Sequence, residues 1–413
     1  MSRLLRLYAP DAFLGWPGGR ASDVLVVVDP TSGVIVEVTP GVRADEAAPD
    51  LVAPVLAPGL IDPHVHLCLP GDGSGFEEAL SVNDERLVEL VLERAERLVA
   101  GGVTTARDVG SRGRTALDAR DRIARGEVAG PRLLVSGAPL TTPGGHCWWF
   151  GGEVADEPSA ARDAVRRRAA EGVDLIKVMA SGGGTPGTVP WEASFSTETL
   201  ATIVDEAKVH GLEVTAHCLC AEATRRALAA GVAHIEHAAF GDGPDSHHFE
   251  PDVAAALATA GVAVSATLAV SATTIRTLEA LSLRTTEEAL TLERRRAFRH
   301  ARQQQTRACA EAGVRFLAGS DAGWRDATFP SVVDELEELV SAGLTRERAL
   351  AGAMSYAAEA LRVEAGRIEA GYAADVIGLD SDPTLGFEPL RRPSWVVRNG
   401  AVMALEPVAH VSA

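Results

Sequence analysis

Residues 86–109 read RLVELVLERAERLVAGGVTTARDV. Residues 86–100 carry a helical pattern, Gly101-Gly102 follows, and residues 104–109 are a short run of strand character. Glycine directly after a helix is a C-terminal cap, because it takes the left-handed backbone without steric cost. The same unit recurs. Helical patterns lie at 160–170, 197–210, 221–230 and 292–312, and Gly172, Gly211, Gly231, Gly261 and Gly313 each stand just before a strand. Strand candidates fall at 61–67, 104–109, 132–136, 174–180, 213–218, 234–239, 262–268 and 314–320. Strands alternating with helices imply an α/β fold, a parallel sheet with right-handed crossovers. Eight is the number that closes a barrel, so a (β/α)8 TIM-like barrel is expected over residues 58–361, with a doubly wound open sheet as the alternative.

The two ends read differently. Residues 24–29 and 34–39 are β-branched runs around the turn signal Pro30-Thr31-Ser32-Gly33. From about Arg362 onward the pattern reverts to β, with runs at 376–379 and 395–398 and the hairpin signal Asn399-Gly400. Residues 1–57 plus 362–413 are therefore expected to meet in one small β-sandwich domain. Residues 269–291 are longer than a usual βα loop and are expected to hold an extra helix or a lid.

The chain has 413 residues, 46 % of them hydrophobic and 23 % charged, enough apolar material for one large core. Its formal net charge of −18 disfavours nucleic acid and anionic membrane as partners, since both need a basic face. No apolar run reaches the roughly 18 residues of a transmembrane helix, and residues 1–18 contain no secretory apolar region. The five cysteines are odd in number and lack disulfide spacing, so a reducing cytoplasm is the expected compartment. A small-molecule substrate is the expected partner, and homo-oligomerisation stays open.

Asp62-Pro63-His64-Val65-His66 carries the strongest chemical signal. Residues two apart in a strand share a face, so His64 and His66 project together and offer a chelate for a divalent ion, with two satisfied core histidines as the other reading of the motif by itself. His217, His237 and Asp321 fall near the C-terminal ends of later strands, where barrels gather their functional groups. His234 and His237, three apart, face opposite ways; His237 is chosen as the nearer to the strand end, leaving His234 as a packed histidine. Lys177 stands among buried β residues, where a charged amine is costly and the neutral, reactive amine becomes accessible. A neutral amine adds CO2 to give an anionic carbamate; a buried structural lysine is the other reading. Cys68, Cys147, Cys218 and Cys220 fall just beyond these positions without C-x2-C spacing, so small apolar filler outweighs zinc ligation. Arg294-Arg295-Arg296 and Arg299 read as a solvated helix face.

These residues carry a resemblance to the amidohydrolase superfamily, and within it to the imidazolonepropionase- and prolidase-like branch. The matching motifs are Pro58-Gly59-Leu60-Ile61-Asp62-Pro63-His64-Val65-His66, Ile176-Lys177-Val178-Met179-Ala180-Ser181-Gly182-Gly183, Ala216-His217, Ile235-Glu236-His237 and Ala318-Gly319-Ser320-Asp321. The ending Gly366-Arg367-Ile368-Glu369-Ala370-Gly371-Tyr372-Ala373-Ala374-Asp375-Val376 resembles the family too. The resemblance implies that His64, His66 and Asp321 hold one divalent ion, that His217 and His237 hold a second, and that Lys177, as a CO2-derived carbamate, bridges them. It implies zinc, with manganese, iron or cobalt as alternatives, a hydroxide between the ions, and Asp321 as the proton carrier. His146, in Gly144-Gly145-His146, matches a Gly-Gly-His loop of the branch and is expected to contact the substrate carbonyl or carboxylate, with a structural loop histidine as the other reading; Trp148, Trp149 and Phe150 are expected to wall the pocket or to pack the loop. Prolidase-like relatives commonly carry tyrosine where this chain has Leu219, which weakens any transfer of dipeptide specificity. The expected activity is hydrolysis of the C–N amide bond of a small N-acyl amino acid or dipeptide-like substrate. A cyclic-amide hydrolase, a deaminase, an esterase or lactonase, and a non-catalytic scaffold are the alternatives.

Overall fold

The computed structural model describes residues 3–74, 76, 80–244 and 246–403. Sixteen strands appear among them. The N-terminal segment supplies β1 (Leu5–Phe13), β2 (Arg20–Asp29), β3 (Val34–Thr39), β4 (Leu51–Val52) and β5 (Val55–Pro58). The central segment supplies β6 (Leu60–Val65), β7 (Val103–Asp108), β8 (Arg132–Val135), β9 (Leu175–Met179), β10 (Glu213–His217), β11 (His234–Glu236), β12 (Ala263–Ser265) and β13 (Arg315–Leu317). The C-terminal segment adds β14 (Val376–Leu379), β15 (Trp395–Arg398) and β16 (Ala401–Met403).

All eight central strands expected from the sequence are present, each starting within about a residue of its expected position. They form two parallel arcs, β6-β7-β8 and β9-β10-β11-β12-β13. Isolated parallel bridges lie at both seams, Leu140 with Val178 and Val65 with Ala322. Each strand is followed by helix, and the glycines that end two of them, Gly172 and Gly231, sit at φ 82°, a left-handed cap that a Cβ would strain. Most central strands are buried at every position, as expected for a parallel sheet covered on both sides.

The expectation that both chain ends meet is answered by one mixed sheet, β16-β15-β14-β5-β1-β2-β3, with β4 on β1. Its hydrogen bonding runs through a single eight-stranded sheet rather than the two layers expected of a sandwich. Leu7, Val24, Val26, Val28 and Val376 fill one face, while Tyr8, Leu25 and Val27 cover Ala47 on the other. Arg132 of β8 reaches Asp375 beside β14 at 2.8 Å, tying this sheet to the parallel strands.

Residues 269–291 hold an extra helix, Ala269–Ala280, so that expectation stands. The next helix begins six residues before the expected 292, at Thr286, because Thr285 and Glu288 form a reciprocal capping box. Among the described residues no helix is long and apolar enough to cross a membrane.

Candidate metal centre at the C-terminal strand ends

Asp62 and Val65 flank a shift in the β6–β7 register, at Pro63, whose carbonyl accepts from Arg107 Nε (2.7 Å). Proline cannot donate to a ladder, so a bulge there absorbs it and re-aims the following side chains. His64 and His66 then converge on Asp321: each Nε2 lies 3.4 Å from Asp321 Oδ1. One ligand atom from each of the three falls within 4.8 Å of the others, and all three residues are buried. His64 Nε2 makes no hydrogen bond although it is sealed from solvent. A buried polar atom without a partner is costly, so a cation at this point fits the donor set.

Each histidine is held by its other nitrogen. His64 Nδ1 donates to Glu236 Oε2 (2.7 Å), and His66 Nδ1 donates to the Gly110 carbonyl (2.9 Å), which leaves both Nε2 lone pairs facing inward. His237 Nδ1 meets Thr267 Oγ1 (2.7 Å), and His217 Nε2 donates to the Gly182 carbonyl (3.2 Å). His217 and His237 adjoin each other, with ring centroids 4.5 Å apart, and His237 lies 5.2 Å from His64. No third imidazole or carboxylate completes a second group as compact as the first among the described residues. Lys177, opposite Thr215 in the β9–β10 register, lines the same cavity and has no hydrogen bond or ion pair there among the described residues.

His237 and Asp321 stand just past β11 and β13 with left-handed backbones, φ 71° and 57°. Non-glycine residues in that region carry strain of order 1–3 kcal/mol and concentrate at functional sites. Arg302, from the helix Thr286–Glu311, clamps the first of these turns by donating to the carbonyls of His237 (2.6 Å), Ala266 (2.9 Å) and Ala238 (3.2 Å).

The electrostatics keep most imidazoles neutral. Burial, with the nearby cationic groups, drives His66 down to about 4 and His146 to about 3, and holds His217 and His237 well below the usual histidine range. Burial also lowers Lys177. Burial opposes the Asp321 carboxylate, but His64, His66 and Lys177 outweigh it and hold the group ionised. His64 runs the other way: burial opposes its charge, yet Asp321 and Glu236 raise its proton affinity.

Some expectations change here. Trp148, Trp149 and Phe150 do not line the cavity. Trp149 and Phe150 pack inside the core, Trp149 stacking on Phe76, while Trp148 is exposed. The aromatic walls come instead from Trp191, Phe298 and Trp324. Arg295, read as part of a solvated face, lines the cavity. His146 does reach it, bonded to Thr185 Oγ1 through Nδ1 (2.8 Å), with its Nε2 against Gly183, where a Cβ would come within 2.5 Å. His234 faces away and pairs with Glu213 (3.1 Å). All five cysteines are unpaired and buried, and burial raises the Cys147 and Cys218 thiols, which agrees with their role as filler.

Sequence reasoning missed the brace behind His64. Glu236 Oε1 accepts from Arg107 Nη2 (2.7 Å) and Thr215 Oγ1 (2.5 Å), and all three residues are buried. Arg107 and His64 hold Glu236 ionised against burial. The available signal was a charged residue inside each of two short strand candidates, Arg107 in 104–109 and Glu236 in 234–239.

The fold and this cavity define a class of enzyme. The chain matches the family model "Amidohydrolase family" over residues 55–408 and belongs to that family. It is an enzyme, a hydrolase acting on carbon–nitrogen bonds. Among individual proteins it is similar to the ochratoxinase of Aspergillus niger, 26 % identical over 381 residues, covering 83 % of this chain and 74 % of that one. Among solved structures it is similar to a Xaa-Pro dipeptidase with methionine bound in the active site (24 % identity, TM-score 0.82, covering 97 % of this chain and 100 % of that one). A putative prolidase from Bifidobacterium longum is also similar (27 % identity, TM-score 0.78, covering 97 % and 94 %).

Proposed function

We propose that the chain hydrolyses the amide bond of a small N-acyl amino acid or dipeptide-like substrate with the help of two divalent cations. The observation that carries this reading is the buried His64–His66–Asp321 group, with His64 Nε2, which makes no hydrogen bond, facing Asp321 at its centre. His64, His66 and Asp321 would hold one cation and His217 and His237 the other, with Lys177 shared between them as a carbamate and zinc as the expected metal. Lys177 suits that role, since burial favours its neutral amine, and addition of CO2 to that neutral amine releases one proton and leaves an anionic carbamate as ligand. When bound, such cations acidify water and polarise a carbonyl. Asp321, ionised, accepts a proton from the attacking water and returns it to the leaving nitrogen, which an amine needs in order to depart. His146, neutral and fixed by Thr185, contacts the substrate carbonyl from the same cavity.

The seam bridges Leu140–Val178 and Val65–Ala322 support closure of the two arcs into one eight-stranded barrel over residues 58–361, with the mixed sheet of residues 1–57 plus 362–413 as a separate small domain. Similarity to the Xaa-Pro dipeptidase and to the putative prolidase supports a dipeptide-like substrate, and five unpaired thiols fit a reducing cytoplasm.

The test is metal analysis of the purified protein followed by a hydrolysis screen of N-acyl amino acids, dipeptides and cyclic amides. The expected result is about two equivalents of divalent metal and cleavage of the first two classes, abolished by chelation and restored by zinc. Cleavage of cyclic amides alone would favour the cyclic-amide hydrolase; a metal-free, inactive chain would overturn the reading.

A further inference from the structure

The helix Thr286–Glu311 sends Arg295, Phe298 and Arg302 into the cavity. Their spacing puts them on one helix face, and at 1.5 Å per residue the two arginines stand about 10 Å apart along the axis. Arg302, the deeper one, is engaged by the three carbonyls it clamps. Arg295, two turns away, is half-buried and has no hydrogen bond or ion pair among the described residues. Arg325 lines the same cavity from the loop after Asp321, on a left-handed backbone (φ 53°), with its Nη2 over Gly184, where a Cβ would come within 3.0 Å. It too has no side-chain partner among the described residues.

The two guanidiniums repel each other: after burial, Arg325 is the group that most lowers the proton affinity of Arg295. Asp326 acts in the opposite sense, but it is held by Thr274 Oγ1 (2.5 Å) and forms no ion pair with either arginine. Neighbours on the same helix do find carboxylates: Arg296 pairs with Glu279 and Arg299 with Glu338. In a chain of net charge −18, two cations left facing one cavity without contact call for an anion.

We propose that Arg295 and Arg325 clamp a free carboxylate of the substrate, so that the enzyme selects amides whose amino-acid half ends in a carboxylate over the same compounds with that group capped. This assignment rests on the amide-hydrolysis reading above. Guanidinium forks match carboxylate geometry in two-pronged fashion, and such charge-assisted bonds are stronger than neutral ones. Leu219, on the same wall, offers no hydroxyl for that carboxylate, while Trp191 and Phe298 supply an apolar seat for the side chain. The clamp leaves His146 free for the carbonyl.

The experiment compares zinc-loaded wild type with Arg295→Gln, Arg325→Gln and, as a control on an exposed position, Arg294→Gln. Acetate release is measured from N-acetylphenylalanine and from N-acetylphenylalanine amide. The readout is the ratio of kcat/KM for the acid over the amide. We expect wild type to prefer the acid, each clamp variant to lose about tenfold of that ratio, Arg295→Lys to recover part of it, and the control to keep it. A ratio unmoved by both clamp variants, or equal losses on both compounds, overturns the clamp. If wild type releases acetate from neither compound, the amide reading fails, and binding of the same two probes followed by tryptophan fluorescence decides the clamp separately. Binding of the acid weakened about tenfold in the clamp variants supports it; unchanged or undetectable binding of the acid overturns it.

Discussion

Replacing Glu236 by glutamine tests the brace that orients the site. Glu236 is fully buried and accepts three hydrogen bonds, from His64 Nδ1 (2.7 Å), Arg107 Nη2 (2.7 Å) and Thr215 Oγ1 (2.5 Å). Glutamine keeps the shape but removes the charge, and its NH2 must face a donor on one side, either His64 or Arg107. Arg107 then stands buried with no carboxylate in contact, bonded only to the Pro63 carbonyl among its former partners. Breaking a buried pair in this way costs about 3–5 kcal/mol. With an unfolding entropy of about 2.1 cal/mol/K per residue, a loss of about 4 kcal/mol lowers Tm by roughly 5 °C in a chain of 413 residues. The second consequence is functional. With the glutamine NH2 turned toward it, His64 loses its acceptor and its fixed tautomer, and loss of such a partner weakens metal binding by about 10–100-fold. Calorimetric melting of the metal-free variant measures the first effect, and a competitive zinc titration the second. Arg107→Met in the same background removes the stranded charge and recovers part of the stability, giving a double-mutant cycle. A Glu236→Gln protein that melts with wild type and binds zinc unchanged would refute the reasoning.

Other expectations follow from the same geometry. Asp321→Asn keeps a side chain that tolerates the left-handed φ of 57° and preserves the backbone bond to His64, so Tm holds while turnover falls by about 10²–10⁴-fold; full activity removes the proton-carrier role. Lys177→Ala loses bound metal, and added short carboxylates partly restore both metal and turnover; metal retained without them excludes the carbamate. Metal content followed by equilibrium dialysis falls on acidification, because protons compete for His64, whose affinity for them Asp321 and Glu236 raise. In the metal-free protein the sign reverses: protonated His64 contributes stability that is present at low pH and is lost as pH rises through its raised value. A metal content independent of pH contradicts this.

Much of the arrangement is legible from single-residue chemistry. Alternation of period two places His64 and His66 on one face, and the glycines after helices mark where strands begin, so the parallel strands and the His64–His66 pair follow from spacing, while the addition of Asp321 to that pair rested on the family resemblance. Burial of Lys177 within an apolar strand is equally readable. Spacing stops short of which loop turns inward. Trp148, Trp149 and Phe150 read equally as a pocket wall or as packing of the loop, and only burial of Trp149 and Phe150 in the core, with Trp149 stacked on Phe76, decides for packing.

What the sequence alone determined is therefore the alternation of elements and the chemical kind of the site, because both rest on local periodicity and on side-chain type. What only the tertiary structure decided is the support around that site: Glu236 and Arg107 behind His64, Arg302 under the His237 turn, and Arg295 facing inward while Arg296 pairs outward. The physical reason is that such contacts join separate elements, 129 positions apart for Arg107 and Glu236 and 65 for Arg302 and His237, and their distances are set by how strands and helices pack rather than by neighbours in the chain.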